Sequence, residues 1–219
     1  MAVMLLKVAK IKKEAGVSSV IFKKPPDLHF YPGQYLDYEL PVKDPLGNSR
    51  AFTMSASPTE DFLMLTTREG KSVFKKQLLG LKPGARVKAS HPAGTFILDE
   101  KSPAVMIAGG IGITPFRSMI KYAFDQKLKT PITLIYSNTD DNFPFKNELN
   151  VWKQNLLNLN IIYHNSSQSG HLTQLPTTNY QLPIYYLAGP PKMVDDFEKM
   201  LLDLGVDETN IRYDRFDGY

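Results

Sequence analysis

The chain has 219 residues and no cysteine. That absence excludes disulfides, Cys-ligated zinc and Cys-ligated iron–sulfur clusters from this chain. Any cluster that works with it sits on another protein. Long apolar runs are missing too, and none approaches the ~20 residues a membrane span needs. Met1 to Leu6 is apolar but short, and basic residues follow it rather than precede it, so it does not read as a signal peptide. Cytoplasm is the expected location. Histidine is sparse. His29, His91, His164 and His171 are scattered, none sits at metal-ligand spacing from a carboxylate, and all four read as surface or structural residues. There is no Ser/His/Asp arrangement, zincin motif, internal repeat or low-complexity segment. No predicted helix carries a basic stripe with interleaved aromatics, so nucleic acid is not an expected partner.

What is present is ordinary for a globular protein: 42% apolar, 22% charged and 11% aromatic residues. The formal charge is +4. Lys7, Lys10, Lys12, Lys13, Lys23 and Lys24 cluster near the start. They are either solvated strand faces or a surface that steers an acidic partner or an anionic nucleotide.

The length suits one large domain or two small ones, and the pattern divides in two. Up to about residue 99 the chain reads as short strands with Gly/Pro punctuation: Val3 to Ile11, Val17 to Phe22, Gln34 to Leu40, Phe62 to Thr67 and Ala85 to Ser90. Such a series predicts an antiparallel β-barrel or sandwich. One helix interrupts it from Ser72 to Leu79, with Val73, Leu78 and Leu79 toward the barrel. After the polar stretch Asp99 to Pro103, strands and helices alternate, which predicts a parallel sheet. Ala104 to Ala108 is a continuous buried-strand run. A helix follows from Pro115 to Gln126, a strand from Ile132 to Tyr136, and a helix from Pro144 to Leu157. Strands at Ile161 to Tyr163 and Ile184 to Ala188 come next, then a helix from Lys192 to Leu204 with Gly205 as its left-handed cap. The expected domains are 1–99 and 100–219.

Gly109-Gly110-Ile111-Gly112 stands between a predicted strand and a predicted helix. Glycines there let the backbone approach a phosphate, and helix N-terminal amides bind anions. Thr114 is expected to cap that helix, and Pro115 suits its first turn. Ala188-Gly189-Pro190-Pro191 repeats the arrangement after a later strand. In a doubly wound sheet ligands bind at the carboxyl ends of strands, so both turns should line one crevice. Met193 points either into the core or toward the nucleotide. Arg50-Ala51-Phe52-Thr53 puts a guanidinium, a ring and a hydroxyl on one strand, with Arg50 and Phe52 on the same face. A strand of this kind beside a ligand offers an Arg for phosphate, a ring for stacking and a hydroxyl for a ring nitrogen. Gly70-Lys71-Ser72-Val73 precedes a helix, and either holds a phosphate pair or is a simple N-cap by Ser72.

Seven segments, in the family's order along the chain, resemble the ferredoxin–NADP reductase superfamily. Arg50 to Pro58 is similar to its R-x-[YF]-[ST] flavin signature, and Tyr31-Pro32-Gly33-Gln34-Tyr35 to the turn just before it. Gly70 to Val73 resembles the flavin-pyrophosphate segment, and His91 to Phe96 the GPxGxF turn, with His91 for the first Gly. Gly109 to Phe116 resembles the nicotinamide-nucleotide turn, Ala188 to Met193 the CGPxxM segment, and Asp214-Arg215-Phe216 the acidic-x-aromatic ending. The resemblance implies a Greek-key antiparallel flavin barrel followed by a five-stranded parallel α/β nucleotide domain. It assigns Arg50 to the flavin phosphates, Phe52 to stacking on the isoalloxazine and Thr53 to a hydrogen bond near N5. Gly70, Lys71, Ser72 and Val73 fall on the pyrophosphate, and Ala51 and Thr66 join the cofactor set. Gly110, Gly112 and Thr114, with Gly189, Pro190 and Met193, fall on the nicotinamide nucleotide. Phe216 covers the other flavin face. Thr53, Asp214 and Phe216 form the catalytic set. Ala188 stands where many members have Cys, and Asp214 where Glu is common. Tyr219 competes with Phe216 for the flavin face, with Phe216 favoured.

The implied activity passes a hydride from NADH or NADPH to bound FAD and then electrons to a one-electron acceptor: ferredoxin, flavodoxin, an oxygenase or a haem protein. FAD is favoured over FMN because the segment before the helix suits a pyrophosphate. The loops Ser137 to Asp141 and Asn165 to Ser169 contain no basic residue, which favours NADH, although Lys146 is near enough in sequence to reach in. Three rivals stay open: a flavin or ferric reductase with no protein acceptor, an FAD-binding electron-transfer subunit, and a regulatory nucleotide-binding module.

Overall fold

The computed structural model describes residues 3–172, 175 and 180–216. The first six strands are β1 (Met4–Glu14), β2 (Val17–Lys23), β3 (Tyr35–Glu39), β4 (Ser49–Thr53), β5 (Phe62–Arg68) and β6 (Arg86–Ala89). They pair antiparallel throughout in the order β4-β3-β6-β1-β2-β5. The two edges meet just beyond β4, where Met54 bridges Leu65 and the Ser55 amide donates to the Met64 carbonyl. That contact curls the sheet into a barrel and covers part of its open edge. The inward residues Leu6, Val8, Phe22, Leu36, Tyr38, Leu63, Leu65 and Val87 form its core.

The helix α1 (Val73–Leu79) plugs this barrel with Phe74 and Leu78. Val73, expected to face inward, is instead 47% exposed. The helix begins one residue after its Ser72 cap, which turns Phe74 rather than Val73 onto the barrel side. β6 alternates exposed and buried residues, as a one-sided sheet should. β2 and β5 are buried on both faces because their outer side packs on the second half of the chain: Ile21, Ala56, Met64 and Phe96 share a core with Met106, Phe116 and Met119.

That half alternates strand and helix. β7 (Ala104–Gly109) leads through a short 3-10 turn into α2 (Ile113–Asp125), then β8 (Ile132–Asn138), α3 (Lys146–Asn155), β9 (Leu159–Asn165), α4 (Ser166–Ser169), β10 (Ile184–Gly189), α5 (Pro191–Asp203) and β11 (Ile211–Arg215). All five strands are parallel, in the order β11-β10-β7-β8-β9. The unbroken apolar run of β7 follows from cover on both faces. Val105 and Ile107 pack with Val194, Phe197 and Leu201 of α5, while Ala104, Met106 and Ala108 pack with α2 and α3. α5 ends as expected: Gly205 has φ +81°, its amide donates to the Leu202 carbonyl and the Val206 amide to that of Leu201. β11 and α4 are additions to the residue-level reading. α3 starts at Lys146 rather than Pro144, because Phe145 takes a left-handed conformation ahead of it.

Arg117 fastens the two halves. Its buried guanidinium donates to the Ser55 carbonyl and both Glu60 carboxylate oxygens on one side, and to Glu148 on the other. Ser118 donates to the Ala56 carbonyl beside it, and Arg212 Nη1 reaches the Ile97 carbonyl at 2.7 Å.

Candidate functional site

Sheet order dictates where a ligand fits. β7 starts the parallel sheet, the chain builds outward through β8 and β9, then returns to the other side of β7 with β10. The crevice opens where the direction reverses, at the carboxyl ends of β7 and β10. Gly109 to Gly112 leave one strand and Gly189-Pro190 the other. Gly112 lies so close to β10 that an added Cβ would sit 2.1 Å from the Ala188 carbonyl oxygen and 2.7 Å from the Gly189 Cα. Gly110 has φ +53°, and an added Cβ there would lie 3.1 Å from Arg68 Nη2. The two glycine turns expected to share a crevice are thus in contact, and Gly110 and Gly112 leave their backbone bare. A side chain on Gly112 would collide with β10, so the residues present fit a phosphate cradle.

Thr114 does not cap α2 as expected. The helix starts at Ile113 with Gly112 in the cap position, and the Thr114 hydroxyl donates back to the Ile111 carbonyl. Pro115 does fall in the first turn. Met193 is half-buried against the core under β10, and its sulfur lies toward Gly109, so it packs inward while flooring the turn. Pro190 is exposed and precedes Pro191 at the start of α5.

A cavity of about 200 Å³ lies between the crevice and the barrel. Tyr35, Ala51, Phe52, Thr53, Thr66, Thr67 and Lys75 line it from the barrel. Ile111 and Thr114 line it from the glycine turn, and Asp214, Arg215 and Phe216 from the C-terminal strand. The strand signature, the nucleotide turn and the acidic-x-aromatic ending therefore meet around one space. Phe52 stacks on Phe74 at 6.2 Å between ring centroids and keeps one edge on the cavity. The Thr53 hydroxyl donates to Asp214 Oδ2 at 3.2 Å. Burial pushes the Asp214 carboxyl up to about 6, and the Thr53 hydrogen bond opposes that rise. Phe216 is held by its amide, which donates to the Gly189 carbonyl at 2.9 Å. An aromatic edge, a row of hydroxyls and a second ring suit a flat heteroaromatic group such as an isoalloxazine. Tyr219, the competitor of Phe216, lies outside the described residues.

Arg50 is placed differently from the cavity-lining residues. It shares a face with Phe52, as its spacing predicts, and its guanidinium lies 5.3 Å from the Phe74 ring centroid. Its Nη2 donates to Asp44 Oδ1 at 2.8 Å, and its Nη1 to the carbonyls of Leu46, Gly47 and Ser49. Asp44 Oδ2 also accepts the Phe74 amide. The Asp44 carboxyl is held below the usual carboxylate range by the Leu46 amide first, then by the Phe74 amide and Arg50. Ser72 caps α1 by accepting the Lys75 amide, and Gly70, Lys71 and Val73 surround that start. Thr66 is buried, sharing hydrogen bonds with Ser19 and Ser55.

Sequence reasoning missed Lys75, Arg68 and Tyr35 as site residues. Tyr35 pairs with Thr53 across β3 and β4, a register legible only once the hairpin is known. Arg68 crosses from the barrel to donate to Asn138 Oδ1 at 2.6 Å, beside Gly110. Lys146 does not point at the loop after β8. Its ammonium lies over the rings of Phe143 and Tyr163, at 5.3 and 5.1 Å. Among the described residues no helix is long and apolar enough to cross a membrane, and no cluster of His, Asp or Glu suits a metal ion.

Comparison with known proteins agrees with this geometry. Residues 106–199 match the sequence family of the oxidoreductase NAD-binding domain. Flavohemoprotein A of Dictyostelium discoideum is 25% identical over 94% of this chain, and the chain spans only 58% of that protein. Among solved structures, the FAD/NAD binding domain of nitric oxide dioxygenase from Vibrio cholerae superimposes with a TM-score of 0.80, at 24% identity, covering 97% of this chain and 98% of that one. Ferredoxin-NADP+ reductase from Plasmodium falciparum gives a TM-score of 0.82 at 16% identity, covering 98% and 96%. Residues 106–199 are thus similar to that NAD-binding family, and the chain shares the two-sheet fold of these solved structures.

Proposed function

We propose that the chain is an NAD(P)H-dependent flavoprotein reductase that moves a hydride from the nicotinamide nucleotide to FAD and electrons onward to a one-electron acceptor. The observation that carries this reading is the meeting of the glycine turns, the Phe52-Thr53 strand and the Asp214-Phe216 ending around one cavity. FAD supplies the change from a two-electron donor to one-electron release. The chain's own residues supply placement. Residues 1–99 are proposed as the flavin unit and 100–219 as the nucleotide unit.

Phe52, Ala51, Thr53 and Thr66 are proposed to line one side of the flavin ring, and Phe216 the other. Phe216 must then yield to the nicotinamide, and the hydrogen bond from its amide to the Gly189 carbonyl supports an exchange beside the nucleotide turn. Gly110, Gly112, Thr114, Gly189 and Pro190 are assigned to the nucleotide, with Met193 packed beneath them. Arg68 offers the pyrophosphate a charge from the barrel side. Asp214, buried beside the Thr53 hydroxyl, is proposed to hold or give up a proton near pH 6. NADH is the favoured donor, because Asp140 and Asp141 are exposed in the loop after β8 and Lys146 is engaged with two rings. Asp140 and Asp141 would repel a 2′-phosphate.

The flavohemoprotein and the nitric oxide dioxygenase carry names that tie such a unit to haem and oxygenase chemistry. A haem protein or an oxygenase is therefore the proposed class of acceptor, and the cytoplasm, where NADH is produced, the proposed compartment. Steady-state reduction of a haem-protein acceptor by the FAD-loaded chain, compared with reduction of free flavin and ferric chelates, tests the acceptor class. Faster turnover with the protein acceptor supports the proposal. Turnover with small acceptors alone contradicts it.

A further inference from the structure

Four threonines line the cavity: Thr53, Thr66, Thr67 and Thr114. Each commits its hydroxyl proton to a protein acceptor. Thr53 donates to Asp214 Oδ2, Thr67 to the Arg68 carbonyl and Thr114 to the Ile111 carbonyl. Thr66 differs in how firmly its proton is fixed. It stands opposite Ser19 across β2 and β5, its Oγ1 2.8 Å from Ser19 Oγ and 2.8 Å from Ser55 Oγ. Ser55 Oγ lies in turn 3.0 Å from the Met64 carbonyl oxygen. A carbonyl only accepts, and a hydroxyl has a single proton. The Ser55 proton therefore lies on the bond to Met64. The contact between Ser55 and Thr66 must then use the Thr66 proton, and the contact between Ser19 and Thr66 the Ser19 proton. The result is a one-way chain from Ser19 to Thr66 to Ser55 to the Met64 carbonyl. Ser19, Thr66 and Ser55 are only 5%, 3% and 0% exposed, so little water reaches them to reverse it. Thr66 Oγ1 has two lone pairs, of which Ser19 occupies one.

We propose that Thr66 is a fixed hydrogen-bond acceptor for the N3–H of the flavin ring, with Ser55 and Ser19 as the positioning residues that keep its proton out of the cavity. This rests on the flavin reading of the cavity. An oxidised isoalloxazine carries its only N–H at N3, while its carbonyls and its N1 and N5 atoms accept. A hydroxyl whose proton is held elsewhere pairs with the N3–H and with none of the other edges. Thr67 donates to its neighbour's carbonyl at 3.2 Å, a contact that one hydroxyl rotation undoes. Turning the Thr66 proton into the cavity breaks the buried bond to Ser55, whose own proton cannot replace it without leaving Met64. The barrel side is favoured over the nucleotide side because Thr66 shares the wall with Phe52 and Thr53. The carboxamide N–H of the nicotinamide is the competing source of the same donor.

The test uses the full chain freed of flavin and titrated with riboflavin and 3-methylriboflavin, read by flavin fluorescence. The methyl group replaces the N3 proton and leaves the other polar atoms in place. The wild type should favour riboflavin by at least about tenfold, the scale of one buried hydrogen bond. Thr66→Val keeps the side-chain shape and removes the oxygen. It should lower that preference about tenfold with the affinity for 3-methylriboflavin unchanged. Thr66→Ser should restore most of the preference. Ser55→Ala releases the Thr66 proton and should lower the preference about threefold, although Thr66 itself is intact. A second measurement needs no variant: in the FAD-loaded wild type, the N3 proton should exchange with water more slowly than in free FAD, as read by proton NMR.

An unchanged preference for riboflavin in Thr66→Val overturns the proposal. So does an equal loss for both flavins, which would make Thr66 a packing residue. N3 exchange as fast as in free FAD overturns it too. The reduced 3-acetylpyridine analogue of NADH lacks the carboxamide N–H. If Thr66→Val narrows the preference for NADH over that analogue and leaves the flavin preference intact, the donor is the nicotinamide, which also overturns it. If the wild type binds neither riboflavin nor its methyl analogue, the flavin reading itself fails and the proposal with it. Riboflavin binding by the wild type separates that outcome from the rest.

Discussion

At single residues, the site depends on what glycine leaves out and on what burial does to one acid. Replacing Gly112 by Val puts carbon where the Ala188 carbonyl oxygen already stands, 2.1 Å from the Cβ position. The turn must move away from β10, and the cradle opens. Gly112→Val should raise the KM for NADH at least about tenfold while FAD content stays near one per chain, since the barrel is untouched. An unchanged KM would show that the turn does not hold the nucleotide. Asp214 gives a pH signature. Its carboxyl titrates near 6 in the folded chain against 3.8 unfolded, so the native state binds the proton more tightly. Well below pH 4 both states are protonated and nothing is gained or lost. As pH rises toward 6 the unfolded chain ionises first, and stability falls. Asp214→Asn should therefore melt higher than wild type at pH 8, with the gap shrinking by pH 5. A constant gap would mean that the acid is not raised. If Asp214 handles a proton in turnover, the same variant should also lose the limb of the rate profile near pH 6.

At the level of elements, the periodic ones were legible in the sequence and the ones set by tertiary contact were not. β7 reads directly as a strand buried on both faces, and α5 with its Gly205 cap reads equally well. α1 was found with Leu78 and Leu79 on its inward side, but Val73 was placed there in place of Phe74, because seven residues carry too little periodicity to orient a helix without the barrel. β11 escaped the residue-by-residue reading because it is short, polar in part and defined by pairing with β10. Thr114 looked like a cap, yet the chain tightens into a 3-10 turn first and moves the helix start to Ile113. The clamp at Arg117 was invisible as well: its partners Ser55, Glu60 and Glu148 lie far apart in sequence. Because that guanidinium is buried with two carboxylates, removing it leaves Glu60 desolvated and unpaired. Arg117→Met should destabilise the chain by about 3–5 kcal/mol. A urea midpoint unchanged from wild type would show the clamp to be incidental.

Across the whole molecule, the candidate site was legible as a set of motifs but not as a geometry. The strand signature and the two glycine turns pointed to one ligand system because each supplies a backbone or ring that a nucleotide needs. Which side chains turn toward it depended on closure of the barrel and on the sheet's reversal between β7 and β10. Arg50 illustrates the gap: its position on the strand was clear, while its carboxylate partner six residues earlier was not. Lys75 is the converse, unremarkable in sequence and exposed to the cavity in three dimensions. The account rests on a nucleotide and a flavin meeting between the two sheets. The most direct test is an anaerobic absorbance titration of the FAD-loaded chain with NADH and then NADPH. The account predicts that the visible flavin band is lost with about one equivalent of NADH and less readily with NADPH. A chain that takes up no FAD, or a yellow one bleached by neither nucleotide, would contradict it.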